Sequence, residues 1–307
     1  MIKHIGLAAA FIGATALGAA AQERVSIGTG GTGGVFYAVG AGMADLLSRK
    51  LDGVTANAEV TGASIENIRR VSGGEMTIGF SSASTLYEAK SGTGAFEGDA
   101  QNVAAIAYLY PAVLQIAATD ASGAEGVKDL ADLRVSVGPP GSNSAVFAER
   151  LLGSQEAFNV GNVSFLSYGE ATAAIKNGQL DGSMILAGTP ASAFIELFTT
   201  EDVRLVPVVP GDVEGLIAEF PFYEVIEIPA GTYEGEDAAV VAVGDPAILF
   251  AAADADEALI KGITATLFDN LEELGTVHPS AKQITMERAT ATPIDLHPGA
   301  KAYFDGM

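Results

Sequence analysis

Cysteine is absent from the 307 residues, which excludes disulfides, thiolate metal sites, a thiol nucleophile and a lipid-modified cysteine anchor. Histidine is scarce, with three in the chain. His4 falls in the N-terminal segment, while His278 and His297 each precede a proline near the C-terminus, positions suited to capping or packing. There is no H-E-x-x-H, no G-x-S-x-G and no cluster of metal ligands. No catalytic residue and no metal site is assigned, no cofactor is expected, and the chain is not read as an enzyme. Basic residues are few: 16 Lys and Arg stand against 38 Asp and Glu, a formal net charge of −22. A nucleic-acid partner would need a basic stripe, and none is present. The acidity bears on solubility rather than on the sign of a ligand.

Long hydrophobic runs are missing as well. Ile5 to Leu17 is apolar but too short to span a bilayer. Lys3 and His4 precede it, and Ala19-Ala20-Ala21 follows with an A-x-A pattern. Residues 1–21 therefore read as a signal peptide cleaved after Ala21, and the mature chain is expected to be exported to the periplasm and soluble. Without covalent staples the fold must rest on its cores, for which 49% apolar residues suffice.

What is present is a duplication with a period of about 110 residues, domain-sized rather than solenoid-sized. Val25-Ser26-Ile27-Gly28 runs into a glycine-rich loop and then a helical pattern through Leu46 and Leu47. Val135-Ser136-Val137-Gly138 runs into Pro139 to Ser144 and a helical pattern through Leu151 and Leu152. Each copy continues alike. Helix Ala63–Val71, Gly73-Gly74, strand Met76–Phe80, serines 81, 82 and 84 and a helix carrying Tyr87 correspond to helix Glu170–Ile175, Asn177-Gly178, strand Ser183–Ala187, Gly188-Thr189-Pro190 and a helix carrying Phe194. Alternating strands and helices predict an α/β fold of two lobes, each a mostly parallel sheet flanked by helices, with a cleft between them. The paired segments Pro111-Ala112-Val113-Leu114 and Pro246-Ala247-Ile248-Leu249 read as two crossovers. Lobe 1 is expected at 22–112 plus 241–307 and lobe 2 at 113–240.

Ligands of open parallel sheets sit beyond the carboxyl ends of the strands, where both copies carry Gly, Ser and Thr. The loop Thr29, Gly30, Gly31, Thr32, Gly33, Gly34 permits close backbone approach, and it opens a helix whose free N–H groups and dipole favour an anion. Pro139, Gly141, Ser142, Asn143 and Ser144 form the same device in the second copy. Ser64 with Asn67, then Ser81, Ser82 and Ser84, then Gly188, Thr189 and Pro190 are further candidates. Val35 and Tyr110, beside the first crossover, complete the set. Arg49, Lys50, Arg69, Arg70, Arg150 and Lys176 lie in or at the ends of helices, where solvated faces are expected, so the anion would be held by N–H and hydroxyl donors. Glu170, at a helix start, is one candidate acceptor for an amino-acid ammonium, or else complements its own helix.

An alternative is a nucleotide-binding oxidoreductase, because Gly28, Gly30 and Gly33 satisfy G-x-G-x-x-G and Glu59 follows in the next strand. Export, the extra residues Thr29, Gly31, Thr32 and Gly34, and Pro139-Pro140 in the matching loop weigh against it. No Lys-Ser/Thr follows to make a P-loop.

Gly28 to Tyr37 (GTGGTGGVFY), Thr61 to Asn67 (TGASIEN), Val137 to Ser142 (VGPPGS), Ile228 to Tyr233 (IPAGTY) and His297 to Ala300 (HPGA) together resemble the TAXI receptors, the solute-binding subunits of one class of TRAP transporters. The resemblance spans nearly the whole mature chain. It implies a two-lobed periplasmic binding fold, a small anionic metabolite such as glutamate or a related dicarboxylate as ligand, and a TRAP-type membrane permease as partner. It also implies a cleft lined by the glycine-rich loop with Tyr37, by Ser64 and Asn67, and by the Pro139 to Ser144 loop. Family members often carry a Gln-Ser-Asp-like segment where this chain has Ser81-Ser82-Ala83, and Gly where Ala63 stands. The binder is expected to act as a monomer.

Overall fold

The computed structural model describes residues 22–307, so the signal-peptide reading of 1–21 lies outside the described residues. The first half alternates β1 (Glu23–Gly28), α1 (Val35–Lys50), β2 (Val54–Glu59), α2 (Ser64–Ser72), β3 (Ile78–Ser82), α3 (Ala83–Ser91) and β4 (Val103–Tyr110). The chain then builds β5 (Val113–Thr119), β6 (Val135–Ser136), α4 (Asn143–Ser154), β7 (Val163–Ser164), α5 (Tyr168–Lys176), β8 (Gly182–Ala187), α6 (Ser192–Thr200), β9 (Val203–Leu205), α7 (Glu214–Glu219), β10 (Glu224–Ile228) and β11 (Val240–Gly244). It closes with β12 (Ala247–Ala252), α8 (Glu257–Phe268), α9 (Leu271–Leu274) and α10 (Pro298–Phe304).

Two sheets result, ordered β2-β1-β3-β12-β4 and β10-β11-β5-β8-β6-β7, with β9 also paired to β5. Both are mixed rather than mostly parallel. Parallel pairing is confined to the duplicated βα units, β1 with β2 and β3, and β6 with β7 and β8. The strands that arrive from the other sheet run the opposite way: β12 is antiparallel to β3 and β4, and β5 to β8, β9 and β11. Strands β3, β4 and β8 are buried throughout, β3 and β8 inside their sheets and β4 at the end of its sheet.

The two passages between sheets lie side by side. β4 leads through Pro111-Ala112 into β5, and β11 leads through Asp245-Pro246 into β12. The Asp245 N–H donates to the Ala112 carbonyl at 2.8 Å, tying one passage to the other. β11 is hydrogen-bonded to β10 and β5, so the chain stays in the second sheet through Gly244. Val25, Ile27, Val39, Met43, Leu47, Ile78 and Phe80 fill the space beneath α1, and Leu114, Leu130, Phe147, Leu151, Met184 and Val206 fill the second half. There the Phe147 and Tyr223 rings stack at 3.8 Å. At roughly 1.5–3 kcal/mol per buried large apolar side chain, these cores make the fold independent of staples.

Strand limits shift at one point that matters. β3 reaches Ser82, two residues beyond the expected Phe80, so Ser81 and Ser82 end a strand instead of forming a loop. The ladder to β12, with Ser81 opposite Ile248 and Ser82 opposite Ala247, holds them there.

Candidate functional site

The cleft between the halves is lined by Gly30, Gly31, Gly34, Val35, Phe36, Gly62, Ala63, Ser64 and Ser82 from one side, and by Pro139, Ser142, Asn143, Ser144, Tyr168, Leu186 and Ala187 from the other. It holds about 520 Å³ of space between atoms, open solvent included. Five helices begin at its wall. Val35 starts α1, Ser64 starts α2, Ser82 immediately precedes α3, Asn143 starts α4 and Tyr168 starts α5. Each follows a strand of a parallel βα unit, which is why their N-termini converge. The first turns of α1, α3 and α4 carry no acidic residue, so their positive dipole ends are not neutralised locally. First-turn N–H groups have no partner further back in their own helices, and some are already taken. Ala83 and Ser84 of α3 donate to the Pro246 carbonyl and to Asp245, Ala145 of α4 to Ser142 Oγ, and Glu170 of α5 to Ser167 Oγ, so that a guest meets the remainder.

None of the lining side chains is charged. Glu66 and Glu170 are nearby in sequence, but both are occupied. The Glu66 carboxylate accepts from the Gly62 N–H at 2.7 Å. Glu170 accepts from the Ser167 N–H and hydroxyl in a capping box, which holds its carboxyl below the usual range. Glu170 thus serves its own helix.

Three hydroxyls face the cleft from buried positions. Ser64 Oγ accepts from the Ser82 N–H at 3.1 Å and stands 3.5 Å from Ser82 Oγ. Ser144 Oγ accepts from the Leu186 N–H at 3.2 Å. The Ser64 and Ser144 oxygens are thus used as acceptors, and either Ser64 or Ser82 is the donor in the contact between their two hydroxyls. Ser142 differs: its hydroxyl donates to the Pro139 carbonyl at 2.7 Å and accepts from the Ala145 N–H at 3.3 Å, a closed N-cap.

Of the residues singled out from sequence, Gly30, Gly31, Gly34, Val35, Ser64, Ser82, Pro139, Ser142, Asn143 and Ser144 line the cleft. The others stand elsewhere. Thr29 is sealed, its hydroxyl donating to the Glu59 carbonyl at 2.6 Å. Asn67 is a buried brace, its amide donating to the carbonyls of Thr29 and Phe80 at 2.7 and 2.9 Å. Ser81 donates to the Ser82 carbonyl, and Ser84 binds Asp245. Thr32 and Gly141 are exposed, and Tyr37 is partly exposed on α1 outside the lining. Tyr110 is fully buried, its hydroxyl unpartnered among the described residues. The Gly188-Thr189-Pro190 turn rests on the C-terminal segment, where the Ser280 hydroxyl donates to the Thr189 carbonyl at 3.2 Å.

Gly33 contributes differently from expectation. Its carbonyl accepts from the Ala193 N–H of α6 at 3.2 Å. A Cβ there would stand 3.2 Å from Ala193 Cβ and 3.4 Å from Tyr168 Cβ. Its missing side chain lets the two halves meet.

Phe36, Gly62, Ala63, Tyr168, Leu186 and Ala187 line the cleft without having been singled out. Tyr168 closes it, its hydroxyl donating to the Leu186 carbonyl at 3.0 Å. The S-Y-G-E capping box marks this helix start in the sequence but says nothing about the direction of the ring. Arg150 is not on a solvated face. It donates to Glu88 of α3 at 2.6 Å and to the Tyr223 hydroxyl at 2.9 Å, and lies 4.1 Å over the Phe220 ring. Glu59, which the nucleotide-binding alternative would need, is paired with Arg70 at 2.9 Å.

The sequence matches the NMT1-like family over residues 27–306, which takes in both sheets and the whole cleft. The chain belongs to the NMT1-like family. Solved structures share the fold of this NMT1-like protein. One is a protein from Bordetella bronchiseptica RB50 (TM-score 0.55, 15% identity, 92% of this chain and 89% of that one). Another is a binding protein component of an ABC phosphonate transporter from Pseudomonas aeruginosa (0.52, 12%, 86% and 80%). A third is the substrate-binding protein of an amino acid ABC transporter (0.51, 12%, 85% and 99%). At such identities the likeness is one of fold, that of the two-lobed periplasmic binding proteins.

Proposed function

We propose that this NMT1-like protein is the solute-binding subunit of a TAXI-type TRAP transporter. It captures a small carboxylate between its lobes in the periplasm and delivers it to the membrane permease. The observation that carries the reading is the convergence of five helix N-termini on a cleft whose lining side chains carry no charge. Such a site binds an anion through peptide dipoles, N–H groups and hydroxyls. Phe36, Val35, Leu186 and Ala187 supply apolar wall for the rest of the ligand. The motif resemblance to the TAXI receptors adds the transporter class, and a monomer suffices because one chain supplies both walls.

We place lobe 1 at 22–111 plus 246–307 and lobe 2 at 112–245, dividing the chain at the two passages between sheets. A ligand touching both walls stabilises the closed form by its contacts to both. The test is a thermal-shift screen of small carboxylates against matched amides and alcohols, followed by calorimetry. Stabilisation by carboxylates alone, with one site per chain, is expected. Tight binding of a nicotinamide nucleotide, or no response to any carboxylate, refutes the reading.

A further inference from the structure

Behind the cleft, at the second passage between the lobes, lies a buried polar cluster. Asp245 is fully buried. Its carboxylate accepts from the Ser84 N–H at 3.1 Å, from the Ser84 hydroxyl at 2.5 Å and from the Asn143 side-chain Nδ2 at 2.7 Å. Ser84 belongs to α3 of one lobe and Asn143 to α4 of the other, and both are buried. Burial pushes the Asp245 carboxyl up to about 6 while the three donors pull it down.

The cluster settles the orientation of the Asn143 amide. An ionised carboxylate only accepts, so a reversed amide would set its carbonyl oxygen against Asp245 Oδ2. With Nδ2 committed to Asp245, Oδ1 is the free end. Oδ1 has no hydrogen-bond partner among the described residues, and it is not one of the sealed, unpartnered polar atoms. It is the unpartnered polar end of a side chain that lines the cleft. The hydroxyls of Ser64, Ser82 and Ser144 can rotate to suit a donor or an acceptor, whereas this oxygen can only accept.

We propose that Asp245 is a positioning residue: it holds the Asn143 carbonyl oxygen toward the cleft, so that the site selects carboxylates bearing an adjacent hydrogen-bond donor, 2-hydroxy acids over their 2-oxo counterparts. The inference rests on the carboxylate reading of the cleft. A 2-hydroxy group donates to Oδ1 while the carboxylate occupies the helix N-termini. A 2-oxo group would set oxygen against oxygen and leave both without a proton, which is the kind of unpaired buried contact that discriminates strongly.

Calorimetry on the purified protein with four matched pairs tests this: lactate and pyruvate, malate and oxaloacetate, 2-hydroxyglutarate and 2-oxoglutarate, 2-hydroxyisovalerate and 2-oxoisovalerate. Within the pair that binds best, the hydroxy acid is expected to be about ten-fold tighter or more. In Asp245→Asn the new amide can donate to Asn143 and let it turn over, so the ratio should fall to about one or invert. In Asn143→Ala it should fall likewise, and this variant carries the test if Asp245→Asn does not fold. A merely structural role would weaken both members of a pair equally, leaving the ratio unchanged, and that result overturns the proposal. Equal affinities or an oxo-acid preference in the wild type also overturn it, as does failure of all eight acids while another carboxylate binds. In all three cases the carboxylate reading survives. If no carboxylate binds, both fall.

Discussion

Ala63 sits at φ 70°, ψ −144°, in backbone territory that only glycine enters freely, yet it carries a side chain and lines the cleft. The surroundings over-determine it. Its N–H donates to Thr61 Oγ1 at 3.1 Å, its carbonyl accepts from the Asn67 N–H at 2.9 Å, and Asn67 is itself braced to Thr29 and Phe80. A residue so held stores about 1–3 kcal/mol. Ala63→Gly releases that strain, while the freer unfolded chain costs about 0.5–1 kcal/mol. The lost methyl is only partly buried and costs under about 0.5 kcal/mol. The balance is a stabilisation of about 1 kcal/mol, or about 2 °C in Tm for a chain of this size. Urea and thermal unfolding of the two proteins without ligand measure it. A loss of stability of 1 kcal/mol or more in Ala63→Gly would refute the strain argument and imply that the methyl packs better than its exposure suggests.

Arg150→Ala strands Glu88 and the Tyr223 hydroxyl between the lobes. Because the pair keeps 19% and 12% side-chain exposure, the expected loss is about 2 kcal/mol, below that of a sealed pair; a change under about 0.5 kcal/mol in urea unfolding would show the link to be idle. Gly33→Val drives methyls into Ala193 and Tyr168, an overpacking of about 1–3 kcal/mol that opposes closure. Affinity should fall about ten-fold or more with the far-ultraviolet spectrum intact, and unchanged affinity counts against Gly33 as a lobe contact. Asp245 titrates near 6 in the fold and about two units lower unfolded, so its contribution is greatest below pH 4 and is lost as pH rises through 6. Wild type should therefore lose on the order of 2–3 kcal/mol relative to Asp245→Asn between pH 4 and 7, with Glu88, Arg150 and Tyr223 as the other ionisable groups around it; parallel pH profiles would contradict this.

The duplicated βα units were legible because strand, small-residue turn and helix leave local marks in the chain, and β1, α1, α4 and β8 fall where those marks predict. The antiparallel additions β9, β10 and β11 were not. β10 is short and half-buried, and its partners are fixed by the crossing strands rather than by its own pattern. The candidate site was legible to the level of loops, since glycine and serine before a helix reveal where helix N-termini lie. Which side chains turn inward was not. Thr29 and Asn67 have the chemistry of ligand-binding residues but spend every bond on the scaffold. Arg150 has the spacing of a solvated residue, yet it meets Glu88, 62 positions away in sequence. Such partners are chosen by tertiary packing, which no local window contains.

A cleft floored by peptide dipoles also governs how a ligand arrives. The field of a helix end fades within about a turn, whereas the chain as a whole carries −22 and repels anions over about 8 Å at physiological ionic strength. An anion is thus held back on approach and attracted only once it reaches the loops, so encounter is unsteered and slow for a binder of its size. Added salt shortens the range of that repulsion without reaching the enclosed contacts. It therefore quickens capture and leaves residence time alone, which makes the acidic surface a brake on the rate of filling rather than on the tightness of the hold.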